Sequence, residues 1–507
     1  MGTCLRNKLT AFCPDWKSLD FYIVLLGLAF CRAWIVLCLS AAAVTTLVTN
    51  SNWAFLLAGS TAAAGVAVAA RRAATQDRFE ARMRGLTGAL TVSCAVATPI
   101  ALACGQPIAL AALVVVGGAA SSFLQVLWGN EYARRPVPFA LACYPATAVV
   151  IALLIALVIG ERGFRAFFVF PIMSFVLLLV ETSRIDKEQS LDGVSVEPAR
   201  QPERDRPALS RKSIAQLMVS IGVFSFLCRV FDSLPGEGVV DPFVVFGGSS
   251  VFALAVVGVL FLLFAFLCGD RFEPVFAYRL SLPLMALGMA IVSLFFYDHW
   301  ALSVLLIGIG YELFDIVTWI LFVDLAKRRV DACGRYRVFG WGVAATLCGM
   351  GLGYLAGSEI HARLLVGDVQ MSTVGILCVT VLVVTAFLVI PEGTIAQVVG
   401  RRGRLRGGER NEGATGERAE SSSKISPASS LERRCEAIAV ERRLTPRESE
   451  VLVLLARGRT LAIVMRDLQI AKGTAQTHIE NVYAKLGVHK QQELIDLVEG
   501  FAISDDA

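Results

Sequence analysis

The chain has 507 residues, of which 56% are hydrophobic and only 18% are charged, with a mean hydropathy of +0.64. A soluble domain of this size does not need so much apolar surface, so the composition predicts that most of the chain is embedded in a membrane. The net charge of +5 is spread over loops and indicates no particular partner. The 13 cysteines lie scattered without regular spacing, which excludes a disulfide scaffold and argues against a metal site.

The first 180 residues read as six membrane spans. The apolar run at residues 21–48 is too long for a signal peptide, and its removal would leave an odd number of spans, so it is predicted to be the first transmembrane helix. The next five spans are predicted at roughly 53–70, 86–104, 108–128, 138–159 and 166–180. Residues 1–180 therefore form a predicted N-terminal half.

A polar stretch separates this half from a second set of six spans. Residues 181–213 are rich in Asp, Glu, Arg and Pro and are too charged for lipid, so they are predicted to be a cytoplasmic linker. The later spans are predicted at about 214–231, 243–268, 280–297, 300–325, 338–356 and 371–390. Residues 214–390 form the predicted C-terminal half.

The charges of the loops predict the orientation. Loops on the same side as the N-terminus hold fourteen Lys or Arg residues, whereas the opposite loops hold three. The fourteen are Arg71, Arg72, Arg78, Arg82, Arg84, Arg134, Arg135, Arg271, Arg279, Lys327, Arg328, Arg329, Arg335 and Arg337, and the three are Arg162, Arg165 and Arg363. Basic loops stay in the cytoplasm, so both termini are predicted to be cytoplasmic and the protein to lie in the cell's inner (cytoplasmic) membrane.

Two sets of six spans around a long central loop resemble the major facilitator superfamily. A faint repeat agrees with this, since QDRF at residues 76–79 and GDRF at residues 269–272 follow the second and the eighth span. The resemblance implies an all-α bundle of two parallel six-helix halves, with a cavity between the halves near the middle of the membrane.

Polar residues within the spans are the candidates for lining that cavity, because each one is costly in lipid. The candidates for a ligand site are Arg32, Gln125, Arg229, Glu312, Asp315 and Trp319. In the superfamily, helices one, four, seven and ten line the cavity, and the candidates fall on these four helices. Two interpretations stay open: the residues sense a ligand, or Arg32 or Arg229 pairs with a carboxylate of helix ten to hold the halves together.

After the last span the chain becomes hydrophilic. Pro391 ends the span, and five arginines crowd residues 401–410, either as an ordinary basic flank or as a site for anionic lipid headgroups. From residue 407 to about 430 the chain consists mainly of Gly, Glu, Ser and Ala and has no hydrophobic period. Residues 391–443 are therefore predicted to be a flexible cytoplasmic tether.

The last folded segment, residues 444–500, is predicted to contain four short helices. Thr445 to Glu448 has the form of a capping box with Pro at the first helical position, and Gly458 is placed to end that helix. The other helices are predicted at about 461–468, from Thr474 to Gly487, and at roughly 491–499. Four short helices with a tight turn between the second and the third describe a helix-turn-helix unit.

The motifs LTxRExEVL from Leu444 and TxxTHIxNVYxKLGV from Thr474, with Gly458 between them, resemble the LuxR-type helix-turn-helix family of bacterial transcription regulators. The resemblance implies that the third helix enters the major groove of double-stranded DNA and that the fourth mediates homodimerisation. By position, the residues implied to face DNA are Lys472, Thr474, Gln476, Thr477, Glu480, Asn481 and Lys485.

The segment also departs from the family pattern. Ala471 replaces the usual Ser before the third helix, and Ala475-Gln476 replaces a Val-Lys pair. Residues 444–500 contain seven Lys or Arg and seven Asp or Glu, so attraction to phosphates is weak for a single copy. DNA binding as a dimer is the preferred interpretation, and the alternative is a helix-turn-helix kept for protein contacts.

Two functions follow from these elements. The preferred one is a membrane-bound one-component transcriptional regulator that senses a small molecule or the membrane state and binds DNA. The alternative is a secondary transporter with an accessory or DNA-inactive helix-turn-helix domain. The sequence contains no phosphate-binding loop, nucleophile elbow or metal-ligand spacing, so no enzyme activity, cofactor or metal is predicted.

Overall fold

The computed structural model describes most of the chain. The described residues are 18–40, 52–73, 75–158, 163–191, 211–234, 249–268, 274–295, 299–328, 333–388, 434–439, 441–442, 444–456, 472–488 and 490–501. The chain divides into two compact units, Met1–Asn411 and Glu412–Ala507. The larger unit is called the bundle below, and the smaller one is called the C-terminal domain.

The described part of the bundle consists of twelve helices. They are α1 (Leu19–Ser40), α2 (Asn52–Arg72), α3 (Gln76–Ala103), α4 (Pro107–Arg134), α5 (Val137–Val158), α6 (Gly163–Leu191), α7 (Arg211–Asp232), α8 (Ser249–Cys268), α9 (Pro274–Phe295), α10 (Trp300–Lys327), α11 (Gly334–Val366) and α12 (Met371–Leu388). Ten of the described helices are long and apolar enough to cross a membrane, and α8 and α12 contain shorter apolar helices. The protein is thus a multi-pass membrane protein, as its composition predicts.

Several helices extend beyond the predicted spans. Helix α3 begins at Gln76 rather than near 86, and α11 continues to Val366 rather than ending near 356. Helix α6 runs to Leu191, into the stretch that the sequence assigns to the linker. The predicted bounds follow the apolar residues, whereas a helix that has already formed can add polar residues at its ends at little cost.

Helix packing repeats between the two halves. Helix α1 packs against α5 and α6, and correspondingly α7 packs against α11 and α12. In the same way, α4 packs against α2 and α3, and α10 packs against α8 and α9. The halves meet mainly through α2 against α11 and α5 against α8, which are themselves an equivalent pair. The predicted six-plus-six arrangement of an all-α bundle is therefore confirmed.

The two ends of the bundle can be told apart by tracing the helices. Asn52 at the start of α2 donates to the Leu39 carbonyl at the end of α1, with 3.1 Å between the nitrogen and the oxygen. We call this the outer end. The opposite end, where α1 begins and where α4 passes into α5, is called the inner end. The charge bias of the loops predicts that the inner end faces the cytoplasm.

Glycines allow α11 to approach its neighbours closely. A Cβ on Gly349, Gly353 or Gly357 would overlap backbone atoms or a side chain of α7, and a Cβ on Gly340 would lie 2.9 Å from the Ala63 carbonyl oxygen of α2. The hydroxyl of Ser60 on α2 donates to the Ala344 carbonyl at 2.8 Å. Small residues that let backbones touch are a usual way to pack helices in lipid, where no hydrophobic force draws helices together.

The glycine contacts yield a prediction for stability. Gly353→Ala places a methyl group against the Phe226 carbonyl and should destabilise the bundle by about 1–3 kcal/mol, as overpacking does. The matched control is Gly65→Ala on α2, because a Cβ there meets nothing within 4 Å. The stability of both variants is measured by thermal unfolding of the purified full-length protein. Unfolding is detected as the loss of the monodisperse species. Equal midpoints for the two variants would contradict the packing.

The C-terminal domain contains three described helices of ten or more residues, α13 (Pro446–Ala456), α14 (Lys472–Leu486) and α15 (Gln491–Gly500). Its core includes Val451 and Leu452 from α13, Val482 from α14 and Leu494 from α15. Gly487 follows the last residue of α14 and has a left-handed backbone with a φ of 68°, in agreement with the predicted stop. The predicted helix at about 461–468 and the predicted cap at Gly458 lie outside the described residues.

Candidate functional site

The polar centre of the bundle joins three helices from both halves. Arg32 on α1 donates from Nη1 to Asp315 on α10, with 2.9 Å between the nitrogen and Oδ2. Tyr144 on α5 donates to the same carboxylate oxygen at 2.6 Å and also accepts a hydrogen bond from Arg32. A charged pair with an added hydroxyl is the arrangement that makes ions tolerable within a membrane.

Aromatic rings close the inner side of this pair. Trp319, one helical turn after Asp315, stacks on the Tyr144 ring with centroids 4.9 Å apart and planes at 14°. Tyr132 of α4 meets the Trp319 ring edge-on at 5.8 Å, and Phe339 of α11 lies 5.2 Å from it. All four rings are buried. Arg32, Tyr144, Asp315 and Trp319 are called the central cluster below.

The structure brings three of the six predicted ligand-site residues together, since Arg32, Asp315 and Trp319 belong to the central cluster. Gln125 is half-buried on α4, and its amide nitrogen has no hydrogen-bond partner among the described residues. The indole N–H of Trp319 likewise has no partner there. Arg229 on α7 and Glu312 on α10 are half-buried within their helices.

Sequence reasoning missed Tyr144 and Tyr132. Tyr144 lies on helix five, which the superfamily resemblance does not place at the cavity, and Tyr132 reads as part of the inner flank of helix four. The available signal was a phenol within or beside an apolar span, because a buried hydroxyl needs a hydrogen-bond partner. Of the two open interpretations, the structure contains the ion pair itself: Arg32 is bonded to a carboxylate of α10.

A second polar group lies at the inner end of the bundle. Arg335 of α11 donates to the Asn130 side chain of α4 at 2.9 Å, which joins the two halves. Arg134 lies 3.2 Å from the Glu80 carboxylate of α3 and 3.6 Å from that of Glu131. These contacts close the inner end beneath the aromatic rings.

The ion pair of the central cluster leads to a test. Asp315→Ala leaves the Arg32 charge without its partner, and breaking a fully buried pair costs about 3–5 kcal/mol. The side chains of Arg32 and Asp315 are 20% and 15% exposed, so solvent screens the pair in part. The expected loss of unfolding free energy is therefore nearer about 3 kcal/mol than about 5 kcal/mol. Arg32→Ala/Asp315→Ala should recover part of it, because no charge is then left alone.

Thermal unfolding of the full-length protein measures this coupling as a double-mutant cycle. Glu359→Gln is the control, because its pair with Arg363 is exposed at 58% and 65% and such pairs contribute at most about 1 kcal/mol. A double variant that is as unstable as the sum of the single variants would show that the pair is not coupled.

The C-terminal domain presents one polar face of α14. Its exposed residues include Thr474, Gln476, Thr477, Glu480, Asn481 and Lys485. The opposite face buries Val482 and Leu486 in the core, with Ile479 and Tyr483 packed against it. Six of the seven residues implied to face DNA are thus exposed on one helix. Lys472 begins α14, and its side chain lies outside the described part of the structure.

The predicted capping box is present at the start of α13. The Thr445 hydroxyl accepts from the Glu448 N–H at 3.3 Å, and the Glu448 carboxylate accepts from the Thr445 N–H at 2.7 Å. The ammonium of Lys485 also lies 2.6 Å from the Glu448 carboxylate, so it ties α14 to α13. Lys485 is therefore engaged within the domain even though its side chain is 37% exposed.

The bond from Lys485, aided by the Thr445 N–H, lowers the pKa of the Glu448 carboxyl below its usual range. A carboxyl with a lowered folded-state pKa contributes stability that is present above its ordinary pKa, about 4.3, and is lost as the pH falls through the lowered value. Glu448→Gln should therefore reduce protection of the α13 and α14 amides at pH 7. The difference from wild type should shrink below about pH 4.3.

Hydrogen exchange on the full-length protein, corrected for intrinsic rates, measures that protection. Glu450→Gln is the matched control, since its pair with Arg447 is exposed at 49% and 57% and should contribute little. If the two variants lost the same protection, the Glu448–Lys485 contact would not stabilise the domain.

Comparison with known proteins identifies the C-terminal domain. Residues 442–498 match the family described as bacterial regulatory proteins, luxR family. This chain therefore carries a LuxR-type helix-turn-helix domain. A similar curated protein is YgeK of Escherichia coli, an uncharacterized response regulatory protein that is 44% identical over 55 residues. The match covers 11% of this chain and 37% of that protein, well under two-thirds of its length.

Solved structures similar to this chain include three transporters. A bacterial homologue of the iron transporter ferroportin, in an outward-facing state, has a TM-score of 0.47 and 12% identity, covering 72% of this chain and 99% of its own. The fucose:proton symporter of E. coli has a TM-score of 0.46 and 11% identity, and the match covers 74% of this chain and 99% of the symporter. The nucleoside transporter NupG has a TM-score of 0.45 and 14% identity, and the match covers 74% of this chain and 98% of the transporter. The two-half arrangement of this bundle rests on its own helix packing.

Proposed function

We propose that this protein is a membrane-bound one-component transcriptional regulator. Its bundle senses a ligand or the state of the membrane, and its C-terminal domain binds double-stranded DNA. One observation carries the proposal: a LuxR-type domain with an exposed polar face on α14 is part of the same chain as a multi-pass bundle. A dedicated DNA-binding module has no role in moving a solute.

The exposed chemistry of α14 suits recognition of DNA in the major groove. Gln476 and Asn481 carry amides that can bond base edges, and Thr474 and Thr477 carry hydroxyls. Because the segment is electrically neutral overall, one copy attracts phosphates weakly. We therefore infer a homodimer on DNA, since two copies double the number of phosphate contacts and the number of base pairs that are recognised.

The sensing role is supported by the position of the central cluster. Arg32 and Asp315 lie on α1 and α10, so their bond ties one half to the other. A ligand that favours one arrangement of the halves shifts the population of arrangements. Such a shift would change how the C-terminal domains are presented to DNA.

The proposal requires a cytoplasmic C-terminal domain. The excess of Lys and Arg in the loops of the inner end supports that orientation, with the protein in the inner membrane of a bacterium and both termini inside. A C-terminal domain on the outer side would have no access to DNA.

A secondary transporter is the alternative. The Arg32–Asp315 bond favours it, because a carboxylate in the middle of a membrane is a usual site of proton coupling. This function predicts solute flux that depends on Asp315 or Glu312, and it makes the C-terminal domain an accessory.

Chromatin occupancy of the full-length protein tests the proposal. Wild type should give discrete peaks that Thr474→Ala/Gln476→Ala removes, because these exposed side chains face the groove in the proposed complex. Ser449→Ala on α13 is the control for a polar-to-alanine change, since its hydroxyl is bonded internally to the Thr445 carbonyl at 3.1 Å. Peaks should persist in this control.

Membrane insertion is checked in each strain by fractionation. The absence of peaks for a correctly inserted wild-type protein would reject the regulator and favour the transporter. Peaks unchanged in Thr474→Ala/Gln476→Ala would show that α14 does not read DNA.

A further inference from the structure

We propose that the central cluster binds the carboxylate of a small organic acid that enters from the outer end and takes the place of Asp315 on the Arg32 guanidinium. This names the ligand of the sensing bundle and rests on the proposed function only for its regulatory consequence. Binding itself is a property of the bundle.

Access to the central cluster is from the outer end. Every residue of α10 from Ile316 to Ala326 is buried, as is every residue of α4 from Val126 to Ala133. The inner ends of both helices are therefore enclosed on all sides. By contrast, residues 35–39 at the outer end of α1 are all partly exposed. Arg32 and Asp315 retain 20% and 15% exposure. Because the inner ends of α4 and α10 are enclosed, we assign this exposure to the outer side.

The cluster offers donors that lack an acceptor. The hydrogen bonds that Arg32 makes with described residues both come from Nη1, which leaves its Nε–Nη2 edge for another group. The indole N–H of Trp319, on a side chain 6% exposed, has no partner among the described residues. Buried donors without acceptors are costly, so their presence points to a ligand that accepts hydrogen bonds.

A carboxylate fits this set better than a neutral acceptor. A guanidinium edge and a carboxylate match as a two-bond fork, which gives both strength and direction. Arg32 and Asp315 now neutralise each other, so a bound anion would leave an excess negative charge in the membrane. An acid that enters with its own proton avoids that excess, because the net charge of the central cluster is then the same before and after binding.

This exchange would open a contact between the halves. Asp315 is the partner of Arg32 across α1 and α10, and Tyr144 of α5 bonds the same carboxylate oxygen. Once the acid holds Arg32, the ionic bond from α1 to α10 is absent. Among the described residues at this level, the rings of Tyr144 and Tyr132 then still join the halves through Trp319. Ligand binding would thereby favour another arrangement of the halves.

Binding is measured by thermal stabilisation of the purified full-length protein in detergent without DNA. The probes are acetate, butyrate and benzoate, each compared with its amide, which keeps the shape and removes the charge. We expect at least one acid to stabilise the protein and its amide not to do so. Trp319→Phe keeps the ring and removes the N–H, and it should weaken binding of that acid by about tenfold or more.

Asp315→Asn gives the sharpest test, because it removes the competing charge and keeps the size of the side chain. It should bind the acid more tightly than wild type does, by several-fold. The neutral variant Arg32→Gln/Asp315→Asn should unfold cooperatively and lose the response to the acid. Weaker binding of the acid in Asp315→Asn would overturn the proposal, because it would show that Asp315 does not compete with the acid for Arg32. Equal stabilisation by the amides, or none by any acid, would also overturn it.

These outcomes can be told apart from failure of the proposed regulator. Acid binding with no chromatin peaks would reject the regulator and leave the acid site intact, which suits the transporter. Peaks that depend on Thr474 and Gln476, without acid binding, would support the regulator and reject this ligand.

Discussion

The bond between Arg32 and Asp315 is the contact on which the polar centre of the bundle depends. Lipid offers no partner to a charge, so an arginine and an aspartate within the spans must find each other. Because one lies on α1 and the other on α10, meeting that need brings the halves together. Tyr144 completes the group, and its ring provides the surface on which Trp319 stacks.

The remaining contacts between the halves divide the bundle into a tight part and an open part. Helix α11 touches α2 through backbone and small residues, as at Gly340 and Ser60, so this seam resists separation. The inner end is closed by aromatic rings and by the bond from Arg335 to Asn130. The outer part of α1 is only partly covered. In the proposed sensor, a ligand therefore reaches the centre of the bundle from the outer end.

The C-terminal domain obeys a different constraint, that of a small soluble core. The Glu448–Lys485 contact and the capping box hold α13 against α14, while the face of α14 with Thr474 and Asn481 stays exposed. In the proposed regulator, the bundle therefore acts on how the C-terminal domain is presented to DNA and leaves the fold of that domain unchanged. In that proposal, a change in the arrangement of the bundle changes how often two C-terminal domains meet on DNA.

The sequence by itself determined the class of the protein, its multi-pass helical bundle and the family of the last domain. The length of an apolar run, the charge of a loop and the motif around Thr445 are local signals, because each depends only on residues that are close together in the sequence. It also singled out Arg32, Asp315 and Trp319, because polar groups in apolar runs stand out. Only the tertiary structure decided that Arg32 pairs with Asp315, that Tyr144 joins them and that Lys485 is held by Glu448. Partners on different helices depend on how the helices pack, and packing in lipid is set by shape and pairing across the fold rather than by any local pattern.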